Sequence, residues 1–395
     1  MPADAPTAAP PPTADETLAA VRLNLAAGVG PLTQRRLVGR FGSPAAVFEA
    51  PAEQWITVPG VGPKVAAGLA KVRGDSGAER ELERCEKQDI RVLLRGRAGY
   101  PASLATIPDP PEVLYCRGRI EPRDALAVGV VGPRRGTLYG TQTAEKLSRE
   151  LARAGVTVVS GLARGVDAAA HRAALEAGGR TLAVIAPGLT KLYPPEHVGL
   201  ARDVVAAGAV LTESPLSRSP APGLFPQRNR IISGLSCGVL IVEAARKSGA
   251  LHTARHAQEQ GREVFAVPGH ITDPTAEGCH DLIRDGATLV RGVDDILESL
   301  GPLVERVRVD EPKPDGETPA GEVPAGKTVH TARELTLGER EREVLDCVPT
   351  EPGPQDAVLA ASPLPPHQVL STLTILEMRR FVKKLPGGMI VRMKA

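Results

Sequence analysis

The chain has 395 residues, enough for two or three domains, and its 48 basic and 46 acidic side chains leave a formal charge of only +2. Near-neutrality excludes a chromatin-type protein that holds nucleic acid by overall basicity, so any such role must rest on local charge. No apolar run approaches the ~18 residues of a membrane span, and the five cysteines lack a Cys-x-x-Cys pair, which argues against a zinc ribbon or a disulfide framework and for a soluble cytoplasmic protein with reduced thiols.

The Pro/Ala-rich start carries neither the basic nor the apolar region of a signal peptide, so residues 1–16 are expected to be a disordered tail. Residues 17–90 read as a helical domain. Two glycine turns stand out within it, Gly28-Val29-Gly30-Pro31 and Gly60-Val61-Gly62-Pro63. The second precedes Val65, Ala66 and Leu69 at helical spacing and resembles a helix-hairpin-helix, whose turn N–H groups can take a DNA phosphate; alternatively, both turns only join helices.

Residues 91–300 contain a parallel sheet. A buried strand over 128–132 leads into a Gly-rich turn, Pro133-Arg134-Arg135-Gly136, before a helix from about 141. A second strand, 156–161, ends in Ser160-Gly161 and an Arg164-Gly165 turn ahead of a helix over 168–177, which Asp167 is expected to cap. A third, 238–245, ends in Arg246-Lys247-Ser248-Gly249 before a helix over 250–260. Strand, glycine turn and helix N-terminus together form the phosphate cradle of nucleotide-binding α/β folds, and ligands of open α/β sheets bind outside the carboxyl ends of the strands. G-x-G-x-x-G is absent, so this is not a dinucleotide fingerprint.

The segment 225–236 concentrates Phe225, Arg228, Asn229 and Arg230 just ahead of the third strand. It reads as a short helix with the arginines at its start, where the helix dipole favours an anion. Two positions along a helix are about 200° apart, so both arginines cannot face one pocket, and one can instead pair with Glu213 or Glu243. From 216 to 262 seven basic residues face two acidic ones, the sign a groove tracking a phosphate backbone needs. His252 and His256 are four apart on a helix, yet no acid follows His252 to act as a metalloprotease base, so neither a metal nor a cofactor is expected.

Residues 301–333, rich in Pro, Gly, Glu and Val, read as a disordered linker. Residues 334–395 read as three short helices and a hairpin, a winged helix. Its third helix, over 366–377, puts Val369, Leu373 and Leu376 on one face and carries Gln368, Ser371, Thr372 and Thr374 with little charge, so an interaction or regulatory role competes with DNA reading.

VGPRRGTLYG (131–140), SGLARGVDAAAHRAAL (160–175), FPQRNRIISGLS (225–236), SGALHTA (248–254) and GCHDLIRDGA (278–287) resemble, in order, the motif series of the DNA-processing protein A (DprA/Smf) family. The loop from Ala186 to Pro194 departs from the family's usual G-x-G-x-D-x-x-Y-P at Ala186 and Thr190. The resemblance implies an α/β fold: an extended Rossmann-like doubly wound sheet, flanked by the helical (helix-hairpin-helix or SAM-like) domain and the winged helix. It implies a non-enzymatic homodimer that binds single-stranded DNA, protects incoming strands in natural transformation and loads the RecA recombinase, with single-strand-binding protein a further partner. The DNA-binding residues implied are Gly132, Arg134, Ser160, Gly161, Arg164, Gly165, Phe225, Arg228, Asn229, Arg230, Lys247, Ser248 and Gly249. His280, Ile283 and Leu289 are assigned to the dimer interface, with Leu282 facing the core. The rival is a Rossmann-like nucleotide phosphoribohydrolase, which would use a glutamate such as Glu243 beside a P-G-G-x-G-T loop; that loop is missing.

Overall fold

A computed structural model describes residues 10–309, 339–349, 353–362, 364–378, 381–385 and 389–392. They belong to two units, 1–312 and 313–395.

The first unit opens with six helices: α1 (Ala14–Leu25), α2 (Pro31–Phe41), α3 (Pro44–Glu49), α4 (Ala52–Trp55), α5 (Pro63–Arg73) and α6 (Gly77–Lys87). Helix α1 starts inside the expected tail because Thr13 and Glu16 form a capping box: Glu16 N donates to Thr13 Oγ1 at 3.2 Å, and Thr13 N to Glu16 Oε2 at 2.9 Å. The tail's residues 1–9 lie outside the described residues. The two glycine turns are built alike. In each, the first glycine has positive φ, +82° at Gly28 and +89° at Gly60, the valine is buried, and Gly-Pro opens the next helix.

These helices do not stand apart as the domain expected over 17–90. Leu23 of α1 joins Leu37, Val47, Trp55 and Leu69 in a helical core, while Ala20 and Val21 pack with Cys85, Ile90, Val113 and Tyr115 beside the sheet. With both sides of α1 apolar, the helices and sheet form one body.

The rest of this unit is the sheet with its connections: β1 (Ile90–Leu94), α7 (Ala102–Ala105), β2 (Val113–Gly118), β3 (Ala127–Val131), α8 (Leu138–Arg153), β4 (Thr157–Ser160), α9 (Val166–Glu176), β5 (Thr181–Val184), α10 (Val198–Ala207), β6 (Ala209–Thr212), α11 (Leu224–Leu235), β7 (Gly238–Ile241), α12 (Ala250–Glu259), β8 (Glu263–Ala266), α13 (Glu277–Arg284), β9 (Thr288–Leu289) and α14 (Val293–Val309). The nine strands lie in the order β1-β2-β6-β5-β4-β3-β7-β8-β9. From β6 to β9 they are parallel; β2 runs antiparallel to β6, and β1 to β2. The chain winds outward from β3 to β6 and returns to the other side of β3 as β7, which puts the switch point at the carboxyl ends of β3, β4 and β7.

Alternate side chains of one strand feed opposite faces. On β3, Ala127 and Val131 pack beneath α11 and α12, whereas Val128 and Val130 pack beneath α8, α9 and α14. Burial on both faces explains why these strands are continuous apolar runs. Helix α14 carries regular structure through the expected start of the linker at 301, and the remainder of that linker, 310–333, lies outside the described residues.

In the second unit, α15 (Glu339–Asp346), α16 (Gln355–Ala361) and α17 (Pro366–Met378) accompany a three-stranded sheet of β10 (Gly353–Pro354), β11 (Val382–Leu385) and β12 (Met389–Arg392), in the order β10-β12-β11. Val344, Leu345, Val369, Leu373, Leu376 and Ile390 are fully buried in its core, which makes it a winged helix. Thr372, one of the polar residues that the third helix carries, is buried, while Leu370 and Ile375 are 40% and 45% exposed.

Candidate nucleic-acid interface

Three loops meet at the switch point, and small residues let them touch. An added Cβ on Gly132, just after β3, would lie 2.7 Å from Val166 at the start of α9. Gly165 has φ +73°, and a Cβ there would sit 2.4 Å from the Pro133 carbonyl oxygen. The loop after β7 is tied in by Glu243. Its buried carboxylate accepts from Thr137 N at 3.0 Å and from the Thr137 hydroxyl, and Thr137 Oγ1 in turn caps α8 by accepting from Gly140 N at 3.0 Å.

Helix α11 lies across these loops. Arg228 and Arg230 occupy its middle rather than its start, because the helix begins at Leu224. Both are buried, on different sides. The Arg228 guanidinium reaches under the sheet edge, where Nη1 donates to Gly161 O at 2.7 Å and also to Val184 O, the carbonyls that follow β4 and end β5. Gly161 makes this possible, since a Cβ there would lie 2.3 Å from Nη1. Burial pushes the Arg228 pKa down to about 10, countered by the charge of buried Asp167, so the group stays cationic at neutral pH. Asp167 does not cap its own helix. Its Oδ2 accepts from Gly161 N at 3.1 Å and Ala163 N at 3.4 Å, holding the loop ahead of α9. Arg230 points away from the loops, its Nε 3.0 Å from Asp109 Oδ2 and its Nη2 bonded to Glu213, so it is an ion-pair partner inside the fold.

On the solvent side of Arg228 lies a cleft of about 370 Å³, lined by Gly132, Pro133, Arg134, Asp167, Phe225, Arg228, Asn229, Ser248, Gly249 and His252. Over its mouth run two cation–aromatic pairs. The exposed Arg134 guanidinium stands 4.7 Å from the Phe225 ring centroid, and the exposed Arg164 stands 5.7 Å from that of Tyr193. The two rings meet edge to face, centroids 6.1 Å apart and planes at 65°. Arg164 is also held by Glu196 at 2.5 Å. Asn229 Nδ2 donates to Gly249 O at 3.4 Å, linking α11 to the loop after β7.

Residues 91–301 match the family of DNA recombination-mediator protein A, and residues 329–388 match the DprA winged helix domain. The chain is 35% identical to the protein Smf of a Synechocystis species over 376 residues, 91% of this chain and 94% of that one. The chain belongs to the DNA-processing protein A family. It is also 43% identical to the DNA processing protein DprA of Bacillus subtilis over 222 residues, 56% of this chain and 75% of that one. The X-ray structure of DprA from Streptococcus pneumoniae superimposes with a TM-score of 0.62 at 31% identity, covering 72% of this chain and 98% of that one.

Of the residues singled out from the sequence, Gly132, Arg134, Phe225, Arg228, Asn229, Ser248 and Gly249 line the cleft. Arg164 stands at its rim, and Gly161 and Gly165 shape it from behind. The remaining three stand outside it. Ser160 is fully buried and donates to Val130 O at 2.7 Å, tying β4 to β3; Arg230 is turned inward; Lys247 is exposed on the loop and is not among the cleft's lining residues. Tyr193 and Thr137 were not picked out. The sequence placed Tyr193 in a loop after β5 without showing that this loop meets the one after β4, at Arg164 and Leu162. His280 is half-buried, its Nε2 3.1 Å from Gly269 O. Leu282 and Ile283 are both half-buried and pack against the same core cluster, and Leu289 on β9 is 40% exposed. Among the described residues no cluster of His, Cys, Asp and Glu could hold a metal, and no helix is long and apolar enough to cross a membrane.

Proposed function

We propose that this protein binds single-stranded DNA across the cleft at the switch point, as a homodimer, and acts on recombination without chemistry of its own. The observation that carries this reading is the row Arg134, Phe225, Tyr193 and Arg164. It sets two touching, half-buried aromatic rings between two exposed cations, the combination that holds phosphates while bases stack. Duplex DNA keeps its bases stacked inside and cannot offer them to such rings. The buried charges beneath are already engaged, Arg228 by carbonyl oxygens and Glu243 by Thr137, so they support rigidity rather than catalysis. This also counts against a phosphoribohydrolase, for which Glu243 was the candidate carboxylate. Its position on the sheet's last strand makes Leu289 the residue best placed to meet a second copy.

The family's description as a recombination mediator supports this role. In this reading a strand entering the cytoplasm during transformation is covered, then passed to the RecA recombinase, and single-strand-binding protein meets the same ligand. Fluorescence anisotropy with oligothymidylate and with a duplex of equal length tests the reading. Tight binding of the single strand with at least tenfold weaker binding of the duplex is expected; equal affinity would reject it.

A further inference from the structure

A second cavity, about 740 Å³, lies alongside α10, and Tyr193 forms part of its wall. Its floor is aliphatic, from residues such as Leu189, Val198 and Val205. Its cations are Arg117, Lys191 and Arg202, and among the described residues no aspartate or glutamate lines it. Lys191 and Arg202 are exposed. Arg117 donates from Nη2 to Gln88 Oε1 at 3.0 Å, and its buried Nε has no partner among the described residues. The volume is that of a ligand pocket, which runs from about 300 to 1,000 Å³.

Continuity decides what would occupy it. The cleft under Phe225 shares Arg134, Ala163 and Phe225 with a small gap beside Tyr193, and Tyr193 lines both that gap and the large cavity. A strand leaving the cleft over the edge-to-face pair of Phe225 and Tyr193 therefore arrives at a cationic, acid-free groove. We propose that this groove is a second nucleotide subsite. In it Lys191 and Arg202 hold phosphates of the outgoing strand, and a base enters the aliphatic pocket against Tyr193. The inference rests on the single-stranded-DNA reading and extends it from one cleft to a path running from α11 to α10. An acidic peptide with apolar side chains is the competing occupant, but nothing ties it to the neighbouring cleft.

The test uses oligothymidylates of about 6 and about 20 nucleotides, one within and one beyond the roughly 4–16 nucleotides covered by a single-strand-binding OB fold. The double variant Lys191→Glu/Arg202→Glu changes only exposed side chains. It should leave the short oligonucleotide's affinity unchanged, weaken the long one by about tenfold at low salt, and lower the long one's salt slope by about 1.4 for two lost contacts. Val198→Trp, which fills the pocket without altering charge, should also weaken only the long oligonucleotide. Equal loss at both lengths, or no loss at either, overturns the subsite. Loss in the charge variant alone overturns the entry of a base. If Phe225→Ala binds both lengths like the wild type, the cleft itself has been misread, a separate failure.

Discussion

At the scale of single residues, depth below the surface decides what a charged or aromatic side chain does. Arg228 looked like a phosphate ligand, but its guanidinium satisfies two carbonyls that end parallel strands, and an alanine there would leave these and Asp167 buried without their cation. Arg228→Ala should cost about 3 kcal/mol of stability, read in a denaturant titration, and a variant as stable as the wild type would contradict this role. Phe225 is half-buried under Arg134 and should behave oppositely: Phe225→Ala loses about 1–3 kcal/mol of oligonucleotide binding with little change in melting temperature. His171 is fully buried. Thr181 Oγ1 spends its proton on Val158 O, so His171 Nδ1 carries the hydrogen that bonds Thr181, and the ring is neutral. Burial pushes its pKa down to about 3. The unfolded chain would take up that proton near pH 6.5 while the folded one does not, so stability is lost as pH falls below about 6.5, by up to about 1.4 kcal/mol per pH unit. His171→Asn should flatten the stability difference between pH 7 and pH 5, and an unchanged slope would show that other groups cause it.

At the scale of elements, the strand-turn-helix units were legible because their chemistry is local. Apolar runs buried on both faces mark β3, β4 and β7, and the glycines after them mark turns. The winged helix was legible from the spacing of Val369, Leu373 and Leu376. What was not legible depends on partners distant in the chain. Helix α11 begins earlier than its arginines suggested because Leu224 to Gln227 are already helical, and the separation of Arg228 from Arg230 is set by Gly161 on one side and Asp109 with Glu213 on the other. Likewise α1 belongs to two cores, which no local pattern reveals. The Gly165 turn is the most constrained of these junctions. Gly165→Ala meets both an unfavourable φ and the Pro133 oxygen, so it should cost roughly 1–3 kcal/mol and loosen the cleft together with the fold. A variant with normal stability would mean the two loops can part freely.

At the scale of the whole molecule, the parallel sheet supplies the switch point, the helical N-terminal part is fused to its flank, and the second unit is a winged helix of its own. Two-fold pairing along the β9 edge would let two clefts share one long strand. Leu289→Arg changes an exposed residue and should yield a folded monomer by light scattering; a persistent dimer would place the interface elsewhere. The central claim, that the exposed rim over the switch point grips the backbone of a single strand, is tested most directly at Arg134. Oligothymidylate affinity measured over a salt series should show, for Arg134→Ala, a log–log slope reduced by about 0.7, with an unchanged melting temperature. A wild-type slope in that variant would contradict the claim.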